Sequence, residues 1–517
     1  MLKHPTRRWL AGLGVAGALV AASASPAVAA PAADIELYFQ DTTLAADSPG
    51  KSQALRLFAD QPAVLPDVTV RYDYRSLAGK VTLADDGNAQ CTAPEAGVLV
   101  CAETFEVPLD EVYGEQTEPV LIAPTDKAKL GDSGELKISL QVAGKQRGSY
   151  TSRIRIGEGV DLAGGPDSKL SAAPGGSFEA PLTVVNVGEK AVEGVVAFFD
   201  LDYSIRTKER FSNCLYVEDH LLACQFDEEI PAGEGRTTTL NYQLGKDTYA
   251  PGRQYGNAEF MTYADFEDLF GLREDAGARA AARGTGSAKL TLRDAPQKLR
   301  AAAAQTDTDR GNNYTSWNIT VTGKNGTDLE AIGDTVEGAA GAVVTATVGF
   351  RNNGPATLNY IRGDMSVTYL DVDVPAGTTA VEVPAECAPR SGNGTDWGDF
   401  GKPGARAYRC LADTISVAGE TSTGDFRLRI DKVVPNAQGT ILVNAKCECE
   451  GGFRDDLKPA NDRALIVVNA DSSGGGGGTL PITGTSTGLI VGIGGLLLVA
   501  GVGGYLLAKR RRTHFVA

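Results

Sequence analysis

The run Val344-Thr345-Ala346-Thr347-Val348-Gly349-Phe350 sets an apolar side chain at every second position and leads into the turn-forming triplet Asn352-Asn353-Gly354. A repeat of two is the repeat of an extended chain, so the stretch predicts a strand with one apolar and one polar face. Val195-Ala197-Phe199-Leu201 and Val68-Val70-Tyr72 alternate in the same way, and Pro-Gly, Asn-Gly and Asp-Gly turns interrupt the pattern throughout. Helical windows are few. The main exception runs from Asp265 to Ala282, where Phe266, Leu269, Phe270 and Leu272 precede an Arg/Ala run and predict either one amphipathic helix in an insertion or an exposed loop. The expected class is all-β, with antiparallel strands wet on one face.

The pattern also repeats at long range. Tyr150-Thr151-Ser152-Arg153 and the alternating strand up to Asn186-Val187-Gly188 return, about 165 residues later, as Tyr314-Thr315-Ser316-Trp317 and the strand up to Asn352-Asn353-Gly354. That offset is a whole domain, not a solenoid unit. It divides the interior into modules at 34–157, 158–322 and 323–470, each holding about seven short strands, as a two-sheet immunoglobulin-like sandwich would.

Composition narrows the function. The 517 residues are 42% hydrophobic, enough for real cores, and carry three histidines, His4, His220 and His514. The first and last lie in terminal targeting segments. A catalytic triad, a Cys-His dyad or a multi-histidine metal site would have to be built on His220 alone, so no catalytic residue, metal or cofactor is expected.

The N-terminus places Lys3, Arg7 and Arg8 before an apolar run from Trp9 to Val20, and ends in Ala27-Val28-Ala29. This is a secretory signal peptide over residues 1–29, cut between Ala29 and Ala30. Arg7-Arg8 matches a twin-arginine signal only in part, which favours the general secretory route. At the other end a Gly-rich spacer, 471–479, precedes Leu480-Pro481-Ile482-Thr483-Gly484, an apolar stretch over 488–508 and a basic tail over 509–517. The 21 residues of the apolar stretch would span roughly 30 Å as a helix, the thickness of a bilayer core. The cations behind it would stop transfer.

This order resembles the sorting signal of Gram-positive cell-wall proteins, LPxTG followed by a hydrophobic helix and a positive tail. The resemblance implies that a sortase cuts between Thr483 and Gly484 and joins the threonine carbonyl to a peptidoglycan precursor, after transient insertion in the membrane. Pro481 would kink the peptide and Gly484 would let the scissile carbonyl be approached. The interior modules resemble the conserved-repeat immunoglobulin-like domains of bacterial surface proteins. Module 3 carries the resemblance best, through Asn352-Asn353-Gly354-Pro355, Cys387, Cys410, Val417-Ala418-Gly419-Glu420 and Asn461-Asp462; module 1 lacks the Asn-x-Gly turn.

Without the seven basic residues of the two ends, 42 cations face 65 acids, a net charge of −23. Such a surface disfavours nucleic acid and acidic polymers. The eight cysteines all lie in the exported region, where disulfides are the default. Cys91 and Cys101 are ten apart, as are Cys214 and Cys224, and this repeated spacing predicts local pairing across hairpins. Cys387 and Cys410 would make the same bridge around a Gly-rich insertion from Ser391 to Gly404. Cys447 and Cys449 face one side of a strand and leave three readings open: a soft metal, a mutual bridge, or exchange with Cys387 and Cys410.

Asp200-x-Asp202, Asp371-x-Asp373 and the run Asp307 to Asn312 offer oxygen ligands for calcium, but none completes an EF-hand loop, and solvated acidic residues are the plainer reading. Arg362-Gly363-Asp364 matches an integrin-read tripeptide, a match expected by chance. His220 is expected on a hairpin turn, solvated. The expected protein is a peptidoglycan-anchored, extracellular stalk or adhesin of an actinobacterial cell, with sortase as its partner and an extracellular glycan or protein ligand if it is an adhesin. An exposed aromatic cluster near Trp397 would favour the adhesin. The competing expectation is a secreted wall-bound hydrolase with a carboxylate active site, whose mark would be two close carboxylates in an engulfed pocket. A lysine-linked pilus subunit finds no clear motif.

Overall fold

The computed structural model describes residues 33–109, 114–275, 281–293, 304–363, 365–391, 394–444, 453 and 455–470. The segment expected as a signal peptide, with Ala29 and Ala30, Cys447, Cys449, the pentapeptide Leu480 to Gly484 expected as a sorting signal, the apolar stretch and the basic tail all lie outside these residues. The described chain is all-β, with a single α-helix, Tyr263–Asp275, and short 3-10 turns. Its contacts divide it into two compact units. One runs to Asp328 and includes Gly354–Asp364 and Ile415–Gly419; the other comprises Leu329–Asn353, Met365–Thr414 and the chain from Glu420.

In the first unit, a sheet ordered Thr42–Ala45, Lys145–Val160, Ser133–Val142, Val68–Asp73, Val98–Ala102, Gln90–Glu95 is accompanied by smaller sheets, among them Lys51–Gln53 with Val120–Pro124 and Val81–Asp85. Leu57, Val70, Tyr72, Ile122, Leu136, Ile138 and Ile154 bury their side chains in the core between these layers. Farther along the same unit, a four-stranded sheet (Leu162–Gly164, Ser177–Asn186, Gly235–Leu244, Ile205–Thr207) shares a second core with a seven-stranded one. The larger sheet runs Ser168–Ala172, Tyr314–Asn325, Ala250–Met261, Val192–Leu201, His220–Ile230, Cys214–Val217, Ala282–Arg283. The second unit repeats this arrangement with four strands and seven.

One departure from the expected antiparallel pattern recurs. Thr42–Ala45 lies parallel to Lys145–Val160, Ser168–Ala172 to Tyr314–Asn325, and Asp334–Val336 to Arg463–Val468. In each stretch an early strand pairs in parallel with a late one. Since the two run the same way, the chain enters a stretch at one end of its sheet and leaves at the other.

The core around Trp317 shows how tightly the facing sheets fit. Trp317 is fully buried, its ring centroid 6.4 Å from Phe199 and 6.0 Å from Tyr242, and its Nε1 donates to the Pro181 carbonyl at 2.8 Å. Its cross-strand partner is Gly256, and a Cβ there would stand 2.9 Å from Leu201 and 3.1 Å from the indole. Glycine leaves the room the indole fills.

The strand Val192–Leu201 corrects a second expectation, because it is dry on both faces. Val195, Ala197 and Phe199 enter the sandwich core, while Val196 and Phe198 pack with Ala223 and Met261 beneath Phe266 and Leu269 of the helix. The register slips between Glu193 and Val195 at Gly194, whose φ of +85° suits a bulge. Of the stretch read as helix or loop, the part up to Asp275 is a helix that covers the sheet, Ala282 opens the short strand Ala282–Arg283, and 276–280 lie outside the described residues. Replacing Trp317 by Ala is expected to cost about 3–5 kcal/mol, the range for a truncated buried aromatic, measured by urea unfolding followed by circular dichroism.

Candidate functional site

Three disulfides form as the spacing predicts: Cys91–Cys101, Cys214–Cys224 and Cys387–Cys410. Each joins residues directly opposite on neighbouring antiparallel strands, with Cα atoms 4.0, 4.0 and 3.9 Å apart. They staple strands within one sheet, unlike the bridge between sheets of antibody domains. The Gly-rich insertion predicted between Cys387 and Cys410 is held down along its described length. Asp396 N donates to Pro389 O at 2.9 Å, Gly401 N to Cys387 O at 2.8 Å, and Gly404 N to Ala380 O at 2.9 Å. Arg406 donates to the carbonyls of Thr378 at 2.7 Å and Val374 at 2.8 Å. Beside it the buried Arg409 forks onto Asp371 at 2.7 and 2.9 Å.

On this fixed loop stand Trp397, 37% exposed, and Phe400, 43% exposed, with ring centroids 5.6 Å apart. Tyr369 backs the indole at 6.3 Å. Two large rings that a loop holds half out of the protein, at no further entropic cost, make a contact surface suited to an apolar or sugar face.

The acidic motifs considered for calcium have protein partners instead. Asp371 pairs with Arg409, and Asp373 accepts from Arg390 at 2.8 Å. Asp200 and Asp202 accept from Arg362 at 2.9 and 2.7 Å. The arginine of the Arg-Gly-Asp tripeptide thus lies in an exposed 3-10 turn, Ile361–Gly363, with its guanidinium engaged; Asp364 lies outside the described residues. Asp309 caps its own turn, accepting from Gly311 N. His220 differs from the solvated loop histidine expected. It opens the strand His220–Ile230, half-buried, with Nε2 2.8 Å from the Tyr203 carbonyl, and burial holds its pKa below the ordinary value.

A buried ionic cluster escaped the sequence reading. Asp265, in the first turn of the helix, meets Lys51 Nζ at 2.6 Å and accepts from Thr306 Oγ1 at 2.7 Å, Thr262 Oγ1 at 2.8 Å and Asp307 N at 2.8 Å. One turn on, Asp268 pairs with Arg155 and accepts from Thr43 N at 2.7 Å. The side chains of Lys51 and Arg155 come from strands of the first core and the aspartates from the helix after the second, so the cluster ties these two parts of the first unit together. Burial pushes Asp265 upward, but the Lys51 ammonium and the hydrogen bonds outweigh it and hold the carboxyl below the usual range. Burial wins at Asp268, and at Asp307, which rises from the ordinary 3.8 to about 6 despite accepting from Leu162 N and Asp309 N. The one sequence signal was Thr262-x-x-Asp265, a capping-box spacing: Thr262 Oγ1 accepts from Asp265 N at 3.1 Å at the helix start. Nothing in the sequence named Lys51 as the partner.

No family model matches the chain, and no curated protein matches it. Solved structures similar to it include a three-immunoglobulin-domain structure of titin in an E-to-A mutated variant, with 8% identity, a TM-score of 0.16, and coverage of 85% of this chain and 99% of that one. A complex of Dpr2 with DIP-Theta gives 8% identity and a TM-score of 0.20 over 84% and 99%; the Yersinia pseudotuberculosis adhesin InvE gives 14% and 0.13 over 44% and 55%. Scores this low carry no argument, and the architecture rests on the sheets and cores described above.

Replacing Lys51 by Met is expected to cost about 3–5 kcal/mol at pH 7, the penalty for leaving a buried charge without its partner. The sign with pH follows from Asp265. Its depressed pKa contributes stability above the ordinary carboxylate value, which is lost as pH falls through the folded value. Without the ammonium, burial raises that pKa and protonation relieves the charge. The difference between wild type and variant should therefore be largest near neutrality and shrink toward pH 4, as read from urea unfolding at several pH values.

Proposed function

We propose that the chain is an exported, peptidoglycan-anchored surface protein of a Gram-positive, actinobacterial cell, built of tandem immunoglobulin-like sandwiches and acting as an adhesin. The observation that carries the adhesive part is the exposed Trp397–Phe400 pair on a loop closed by the Cys387–Cys410 disulfide. Rings of this size dominate recognition energy when a partner desolvates them, and a loop fixed in advance loses little entropy on binding. Three disulfides accord with an oxidising, extracellular setting. The wall-anchoring part is supported by the order of spacer, Leu480-Pro481-Ile482-Thr483-Gly484, apolar stretch and basic tail. The hydrolase reading gains nothing from the buried cluster of Asp265, Asp268 and Asp307, because each is engaged by protein donors.

Two measurements test the proposal. Mass spectrometry of wall digests should recover a peptide ending in Thr483 and joined to a peptidoglycan amine. Thr483→Ala should shift the protein from the wall fraction to membrane and medium; an unbroken peptide running from Leu480 through Thr485 would overturn the anchoring. For adhesion, cells displaying the chain should bind glycan or matrix-protein arrays, and Trp397→Ala should lower that binding at least tenfold with the disulfides intact. Uniform silence of the wild type on those arrays would leave a stalk.

A further inference from the structure

The solvent face of the seven-stranded sheet in the first unit carries a second surface. Cross-strand register sets Lys169, Asn318 and Tyr255 in one row across three neighbouring strands. The next row of the same face holds Thr320 and Arg253, since residues two apart on a strand point the same way. All five are exposed, and with Ile319 they line a concavity of about 350 Å³, within the ~300–1,000 Å³ range of small-ligand sites. Arg253 also borders a second cavity of about 210 Å³ beside Tyr203 and Tyr360.

The charges here break the habit of the molecule. Arg310 pairs with Glu259, Arg362 with Asp200 and Asp202, and Arg409 with Asp371. Lys169 and Arg253 have no side-chain hydrogen bond or ion pair among the described residues. The carboxylates beside the patch are engaged: Asp167 accepts from Ser316 N at 3.1 Å, Asp202 accepts from Tyr255 N at 2.6 Å and from Arg362, and Asp200 accepts from Arg362 at 2.9 Å. Two free cations therefore flank a tyrosine ring 36% exposed and two hydrogen-bonding side chains, on a protein of net charge −16.

We propose that this face binds a single carboxylated sugar at the end of a glycan. Its carboxylate would meet Arg253 and Lys169, its ring would stack on Tyr255, and its hydroxyls would bond to Asn318 and Thr320. Guanidinium and carboxylate match as a planar fork, and an aromatic face suits the C–H side of a sugar ring. The overall acidity limits the ligand's length. A long polyanion would run onto the acidic surface within a few Debye lengths of ~8 Å, whereas one terminal carboxylate feels mainly the two cations. This site is separate from the Trp397 loop and stands without the adhesin proposal.

The test titrates the full-length chain with sialyllactose, a glucuronate-ended disaccharide, lactose and heparin. Binding of either acidic oligosaccharide, at least tenfold stronger than lactose and weakened by raising salt from 50 to 500 mM, is the expected result; the arm that binds distinguishes a sialyl from a uronic source. Arg253→Ala should weaken it at least tenfold, Arg253→Lys less, and Lys169→Ala by several-fold, with circular dichroism and the unfolding midpoint unchanged, since these side chains are exposed. Equal binding of lactose, binding indifferent to Arg253→Ala, preference for heparin, or no binding to either acidic oligosaccharide would each overturn the proposal.

Discussion

Everything in this molecule depends on burying every second side chain of its strands between facing layers. Trp317 makes the constraint concrete. The indole fits only because Gly256 stands opposite it, because Phe199 and Tyr242 flank it, and because the Pro181 carbonyl takes its one polar atom. A slip of one residue in a strand buried on one face only would turn its apolar set to water, so the buried face enforces the register. That register in turn brings each cysteine pair face to face and aligns Lys169, Asn318 and Tyr255 in a row.

The helix Tyr263–Asp275 adds a second kind of constraint. Its apolar side dries the back of the strand Val192–Leu201, and its first turns carry two buried aspartates that need cations from strands 214 and 113 residues earlier. Apolar packing alone is tolerant of small displacements. A buried carboxylate is not, since losing its ammonium or its N–H donors leaves an uncompensated charge.

The surfaces with chemical potential for recognition lie where the packing is complete beneath them. The Trp397 loop rests on the Arg409–Asp371 pair and a disulfide; the Lys169 face rests on the Trp317 core. In both, a rigid floor holds rings or charges toward solvent. The buried carboxylates Asp265, Asp268 and Asp307 belong to neither surface, and protein donors occupy them.

The strands, the all-β class, the local pairing of six cysteines and the presence of an aromatic residue at Trp397 were legible in the sequence, because each is written in local spacing: alternation of two, turn residues, a repeated interval of ten. The parallel closures were not legible, because a short strand's partner depends on which edge stands open after all the others have paired. The partners of Asp265 and Asp268 were hidden for the same reason, with Thr262-x-x-Asp265 marking a helix start and nothing marking Lys51 or Arg155. The acidic pairs weighed as calcium ligands looked alike in the sequence, and the fold alone determined that Arg362, Arg390 and Arg409 would reach them. Local spacing sets what a segment is; which distant charge it meets is set by register and packing, which exist only once the chain has folded.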